Sequence, residues 1–170
     1  MPTTSELESL YRDLHEHPEL PFEEHRTAGI VADRMRALGL ETTTGIGGTG
    51  VVAVLRNGDG PTVWLRADMD GLPVEEKTGL DYASTVIFTT PSGITTPVMH
   101  ACGHDMHVTW LIGAIEELVA SRATWSGTVV AVFQPAEELL AGARAMTDDP
   151  QFAEIPRPSV VLGQHVGPLP

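Results

Sequence analysis

The run GTVVAVFQ, Gly127–Gln134, sets the reading of the fold. Its apolar residues are consecutive rather than alternating, as in a strand that is covered on both faces of its sheet. Ser159–His165, SVVLGQH, has the same character, and Leu139–Met146 between them predicts a helix. Upstream, GVVAVL (Gly50–Leu55) and TVWLRA (Thr62–Ala67) are short β-branched runs separated by NGDG. That tetrapeptide is a strong turn signal, so the two runs are expected to pair as a hairpin. Met106–Ser121 carries Val108, Leu111, Ile112, Ile115, Leu118 and Val119 on one stripe, which predicts a helix. Two earlier helices are expected over Ser5–His15 and Glu23–Leu38, separated by Pro18 and Pro21, with Gly39 as the stop of the second. Asp68–Val98 is rich in Gly, Pro, Thr and Ser and is expected to be mostly loop. Alternating strands and helices give an α/β fold, a mixed sheet flanked by helices on both faces.

Composition narrows the function. The 170 residues fit one domain with a real core. Twenty-three acidic against ten basic residues leave a net charge of −13. That charge argues against nucleic acid, whose binding depends on cations that neutralise phosphate. A single cysteine excludes an internal disulfide framework. The N-terminus, MPTTSELESL, lacks the basic start and apolar run of a signal peptide. No apolar stretch reaches the roughly 18 residues of a membrane span. A soluble, cytoplasmic protein that does not bind membranes is the expectation.

The chemistry is concentrated in HACGHDMH, His100–His107, which holds three histidines, an aspartate and the only cysteine. Thiolate and imidazole are both good zinc donors, and Gly103 between Cys102 and His104 lets the backbone turn both toward one ion. Other polar residues fall where strands are predicted to end: Asp68 and Asp70 after TVWLRA, Glu137 and Glu138 after GTVVAVFQ, and His165 after SVVLG. Ligands of open α/β sheets sit beyond such strand ends. One of the adjacent glutamates suits a metal ligand and the other a general base, because neighbours after a strand point in different directions. The ordinary readings are that a lone cysteine is a small buried hydrophobe and that a Glu pair simply favours a helix start. A cysteine hydrolase with Cys102 as nucleophile and His104 or His165 as base is a rival, but it leaves the Glu pair without a task. His15, His17 and His25 are expected to be surface or capping residues.

Four collinear segments carry a family resemblance: RDLHEHPELPFEE (Arg12–Glu24), LRADMDGLPVEEKTGLDYAS (Leu65–Ser84), MHACGHDMHVTWLIGA (Met99–Ala114) and FQPAEELLAGARAM (Phe133–Met146). With a weaker fifth, GQHVGPLP, the chain resembles the binuclear-metal amidohydrolases that include hippurate hydrolase, N-acyl-amino-acid amidohydrolases and auxin-conjugate hydrolases. The resemblance implies a zinc-exopeptidase-like catalytic domain. It makes Cys102, His104, Glu138 and His165 metal ligands, Glu137 the general base, and Asp70 a residue that orients a ligand. It implies two divalent ions (zinc or manganese, or else cobalt or nickel) and hydrolysis of the amide bond of N-acyl amino acids or small peptides. Members are often homo-oligomeric, and they carry a lid and dimerisation domain followed by a last metal-binding histidine. Residues 1–170 are expected to be the N-terminal part of the catalytic domain, without those later parts. No other histidine stands in an obvious place to substitute for the last one. The alternatives are a catalytically incomplete fragment and a non-catalytic metal-binding or regulatory protein that keeps the fold.

Overall fold

The computed structural model describes residues 4–167. Two helices, α1 (Thr4–Glu16) and α2 (His25–Ala37), precede strands β1 (Glu41–Ile46), β2 (Gly50–Asn57) and β3 (Thr62–Asp68). A small hairpin follows, β4 (Ile87–Thr89) with β5 (Thr95–Pro97), and then α3 (His104–Ala120), β6 (Gly127–Gln134), α4 (Gly142–Asp148) and β7 (Val160–Gly163). The main sheet has the order β1-β2-β6-β3-β7. Its β1–β2 and β2–β6 pairs are antiparallel, and its β6–β3 and β3–β7 pairs are parallel. This is the expected mixed sheet.

Strand pleating divides the apolar residues between two cores. Val51, Ala53, Leu55, Val129, Ala131 and Phe133 face α1, α2 and α3, and meet Leu14, Val31, Met35 and Ile112. Their neighbours Val52, Val54, Val130 and Val132 face the other way, onto Met146 and Ile155. β6 is thus buried on both sides, as its unbroken apolar run requires.

Three expectations are corrected. Gly50–Leu55 and Thr62–Ala67 are strands, but they do not form a hairpin, because β6 lies between them. The NGDG segment still turns, and it passes over the start of β6, with Thr128 N–H donating to Pro61 O at 3.0 Å. A Cβ on Gly60 would lie 2.9 Å from Gly127 Cα, so the crossing is backbone on backbone. The true hairpin is β1–β2, whose first strand ETTTGI is polar apart from Ile46 and so lacks an apolar pattern. Secondly, the later helix runs over Gly142–Asp148 rather than Leu139–Met146, and Leu139 and Leu140 are exposed in the turn before it. Thirdly, β7 is not covered on both faces. Val160, Val161 and Leu162 are exposed among the described residues. The expected loop of residues 68–98 also contains the β4–β5 hairpin and a bridge between Leu72 and Met99.

Candidate metal centre

The parallel strands β3, β6 and β7 all point their carboxyl ends at one edge of the sheet, where α3 begins. β3 ends at Asp68 and leads into Asp70. β6 ends at Gln134 and leads through Pro135–Ala136 into Glu137 and Glu138. β7 leads into His165 and Val166, and α3 opens with His104.

His104 is buried, and its two nitrogens are unequal. Nδ1 lies 3.2 Å from Asp70 Oδ1, while Nε2 has no hydrogen-bond partner among the described residues. Asp70 accepts the Glu138 N–H with its other oxygen at 2.9 Å, so one carboxylate orients both the imidazole and the glutamate backbone. Glu138 Oε1 is likewise buried without a partner and lies 3.9 Å from His104 Nε2. Burial works against a proton on His104, but the Asp70 bond and the charges of Asp68, Asp70 and Glu138 outweigh it and raise the pKa.

One ligand atom from each of Cys102, His104 and Glu138 lies within 4.8 Å of the others, and the same holds for Asp68, His104 and Glu137, and for His104, His107 and His165. His104 is common to all three groups. The structure therefore brings together Cys102, His104, Glu137 and Glu138, and it also sets His165 beside His104, with the exposed His165 ring 5.8 Å from the His104 ring. The two unpartnered buried atoms, with a thiol beside them, form a mixed N, O, S set that fits a transition-metal ion of the zinc type.

The Cys102 thiol is pushed up to about 11, chiefly by the neighbouring Glu138 carboxylate, then by burial and by the charges of Glu137 and Asp68. An activated cysteine nucleophile needs the opposite, an electropositive setting. This weighs against the cysteine-hydrolase reading. A divalent cation shared among the same groups would reverse the balance.

Several residues near the site were not assigned from sequence. Asp68 is fully buried and bonds to His107 Nδ1 and to Arg66 Nη1, each at 2.6 Å. Burial raises its pKa, but the His107 bond and the His104 and Arg66 charges together bring it below the usual carboxylate value. Glu24, also fully buried, receives the Thr49 hydroxyl and the Ala136 N–H, so it holds the turn that carries the Glu pair. The residue type gave no hint of this, since its partner Ala136 is 112 residues away.

His15 is a correction. It is buried rather than at the surface, with Nδ1 2.6 Å from Asp105 Oδ2 and Nε2 3.1 Å from Glu76 Oε1. His17 and His25 are surface residues as expected. His100 is buried with both ring nitrogens unpartnered among the described residues, and burial lowers its pKa to about 4. It lines a cavity of about 450 Å³ together with Tyr11, His15, Cys102 and His165.

The sequence pattern of the family described as "Peptidase family M20/M25/M40" matches residues 64–169. The chain belongs to this family. Among curated proteins, it is 42% identical over 165 residues to the hippurate hydrolase of Campylobacter jejuni, covering 96% of this chain and 40% of that one. It is 45% identical over 141 residues to thermostable carboxypeptidase 1 of Saccharolobus solfataricus, covering 81% of this chain and 34% of the other. The "IAA-amino acid hydrolase ILR1-like 6" of Arabidopsis thaliana is 36% identical over 173 residues, 96% of this chain and 35% of the relative. Among solved structures, the YXEP protein of Bacillus subtilis, described as a dinuclear metal binding peptidase of the family, superposes with a TM-score of 0.83 at 38% identity. The match covers 96% of this chain and 43% of that one. The chain thus spans about two fifths or less of the curated family members named above. Its mixed sheet flanked by helices is the family's catalytic-domain fold. No helix among the described residues is long and apolar enough to cross a membrane.

Proposed function

We propose that this chain is the N-terminal, metal-binding part of a metal-dependent amidohydrolase that cleaves the amide bond of N-acyl amino acids, hippurate-like conjugates or small peptides. The observation that carries this reading is the convergence of Cys102 Sγ with the unpartnered His104 Nε2 and Glu138 Oε1, with Glu137 beside them at the strand ends. Cys102, His104, Glu138 and His165 are the proposed ligands for two divalent ions, zinc by the chemistry of the donor set and manganese by the family resemblance. Such ions, when bound, would polarise the amide carbonyl and acidify the attacking water.

The chain's own residues do the rest. Asp70 holds the His104 ring through Nδ1, so that the Nε2 lone pair faces the site. The same carboxylate fixes the Glu138 backbone and with it the direction of that side chain. Glu137 Oε2 lies 3.9 Å from His104 Nε2 and is one-third exposed, open to a substrate and free to take the water's proton and return it to the leaving amine. The relatives named for hippurate, carboxypeptidase and IAA-amino acid hydrolysis support an amide between an acyl group and an amino acid as the bond cleaved.

Metal content by mass spectrometry, after reconstitution with zinc or manganese, tests the reading. The chain is expected to bind metal, and Cys102→Ala to lose most of it. Hydrolysis of hippurate or an N-acetyl amino acid by the loaded chain would establish turnover. Metal binding without turnover would favour the second reading, a catalytically incomplete piece, which the exposed apolar strand β7 also supports. A chain that binds no metal would sink the proposed metal centre and leave only the incomplete piece.

A further inference from the structure

His107 lies on α3 one turn beyond His104, is fully buried, and has no part in the roles proposed above. Both of its nitrogens are nevertheless engaged. The Val166 N–H donates to Nε2 at 2.9 Å, so the proton is on Nδ1, which donates to Asp68 Oδ1 at 2.6 Å. Asp68 in turn accepts from Arg66 Nη1 at 2.6 Å, and Arg66 Nε donates to Gln134 Oε1 at 3.0 Å. A continuous chain of bonds therefore runs from the end of β6 through the end of β3 and the first turns of α3 to the segment after β7. That segment follows β7, a short edge strand paired on one side only, with β3, and exposed at all four residues. Val166 is seated from a second direction as well. A Cβ on Gly103 would meet Val166 Cγ1 at 2.4 Å, so the segment lies where only glycine leaves room.

The nitrogens of His104, His107 and His165 lie within 4.8 Å of one another, which makes His107 look like a ligand. Its bonding argues otherwise. A ring nitrogen that accepts an N–H has no lone pair to offer a cation, and the other nitrogen carries a proton. The His107 and His165 rings pack 4.6 Å apart at 71°, so fixing the backbone of Val166 against His107 also fixes the neighbouring imidazole.

We infer that His107 is a positioning residue: braced by Asp68, it grips the backbone of Val166 and so sets where the His165 ring stands. The consequence for metal binding rests on the proposed metal centre, while the grip itself does not. Two measurements separate them. In the protein without added metal, the Val166 amide should exchange with deuterium at least tenfold faster in His107→Ala than in the wild type, with the amides of β6 unchanged. His107→Gln, whose side-chain oxygen reaches the position of Nε2, should restore most of the protection. Equal exchange of Val166 in wild type and His107→Ala would overturn the inference.

In a cobalt titration, His107→Ala should keep the thiolate-to-cobalt absorption of Cys102 but lose the same share of bound cobalt as His165→Ala. The double variant should lose no more than either alone. Loss of the Cys102 absorption, or full retention of cobalt, would overturn a positioning role. A wild type that binds no cobalt would defeat the metal-centre reading, and the amide exchange would then decide the inference by itself.

Discussion

Glu24 shows how much a single buried side chain can hold. Its carboxylate receives the Ala136 N–H at 2.8 Å and the Thr49 hydroxyl. Ala136 itself has φ +47, in the left-handed region, where a residue with a Cβ is strained by about 1–2 kcal/mol. Glu24→Ala would leave a backbone donor and a hydroxyl buried without partners, at about 1–3 kcal/mol each. We expect it to lower the unfolding free energy by about 3 kcal/mol in urea denaturation. Glu24→Gln keeps an acceptor and should cost less than half as much. His15 makes a pH prediction. The Asp105 bond and then the Glu76 bond raise its pKa, with burial opposing them. A histidine whose folded pKa is raised contributes stability in full below the ordinary value of about 6.5, and loses it as pH rises through the folded value. The urea midpoint of the wild type should therefore fall more between pH 6 and pH 9 than that of His15→Asn. Equal falls would remove His15 from the account. Neither residue's task is legible in sequence, because Asp105 and Glu76 lie 90 and 61 residues from His15.

At the scale of elements, runs of like residues told more than the connections between them. Gly127–Gln134 was legible as a doubly buried strand because Val129–Phe133 is an unbroken apolar run, and the structure has that strand with the same bounds. The partner of Gly50–Leu55 was not, because an NGDG turn signals a reversal without saying whether a third strand fits into it. β6 needs a neighbour on each side, and it takes β2 and β3. The turn from β6 into α4 is equally particular. Ala141 and Gly142 N–H groups both donate to Ala136 O, and a Cβ on Gly142 would lie 1.6 Å from Pro135 O. Gly142→Ala must therefore open the turn that presents Glu137 and Glu138. Backbone overpacking of this kind costs about 1–3 kcal/mol. The variant should show a loss at the upper end of that range and reduced metal content by mass spectrometry. Full metal content would mean that the turn is not what orders the pair.

Across the whole molecule, the site draws four carboxylates, Asp68, Asp70, Glu137 and Glu138, toward one edge of a chain with net charge −13. A cation that binds only the folded protein stabilises it by mass action, about 2.7 kcal/mol at a hundredfold excess over Kd. For a domain of this size that is a rise in Tm of roughly 5–10 °C. Scanning calorimetry with zinc or manganese should show the rise in the wild type. EDTA should remove it, and Cys102→Ala should not show it. An unchanged Tm under saturating metal would count against the proposed centre.

The sequence by itself determined the class of fold, most of its strands and helices, and the residues that meet at the strand ends: Cys102, His104, Glu137 and Glu138. Those features are written in local spacing and in short motifs, which a chain carries without reference to its distant parts. Tertiary structure alone decided the strand order, the burial of His15 and Glu24, the bonds of Asp68 and His107, and the exposure of β7. Most of these depend on partners that folding brings together across long stretches of sequence, such as 39 residues for Asp68 and His107 and 112 for Glu24 and Ala136. A hydrogen bond needs its two atoms near 3 Å apart. Local pattern shows which residues can make such a bond, and only the packed chain shows which ones do.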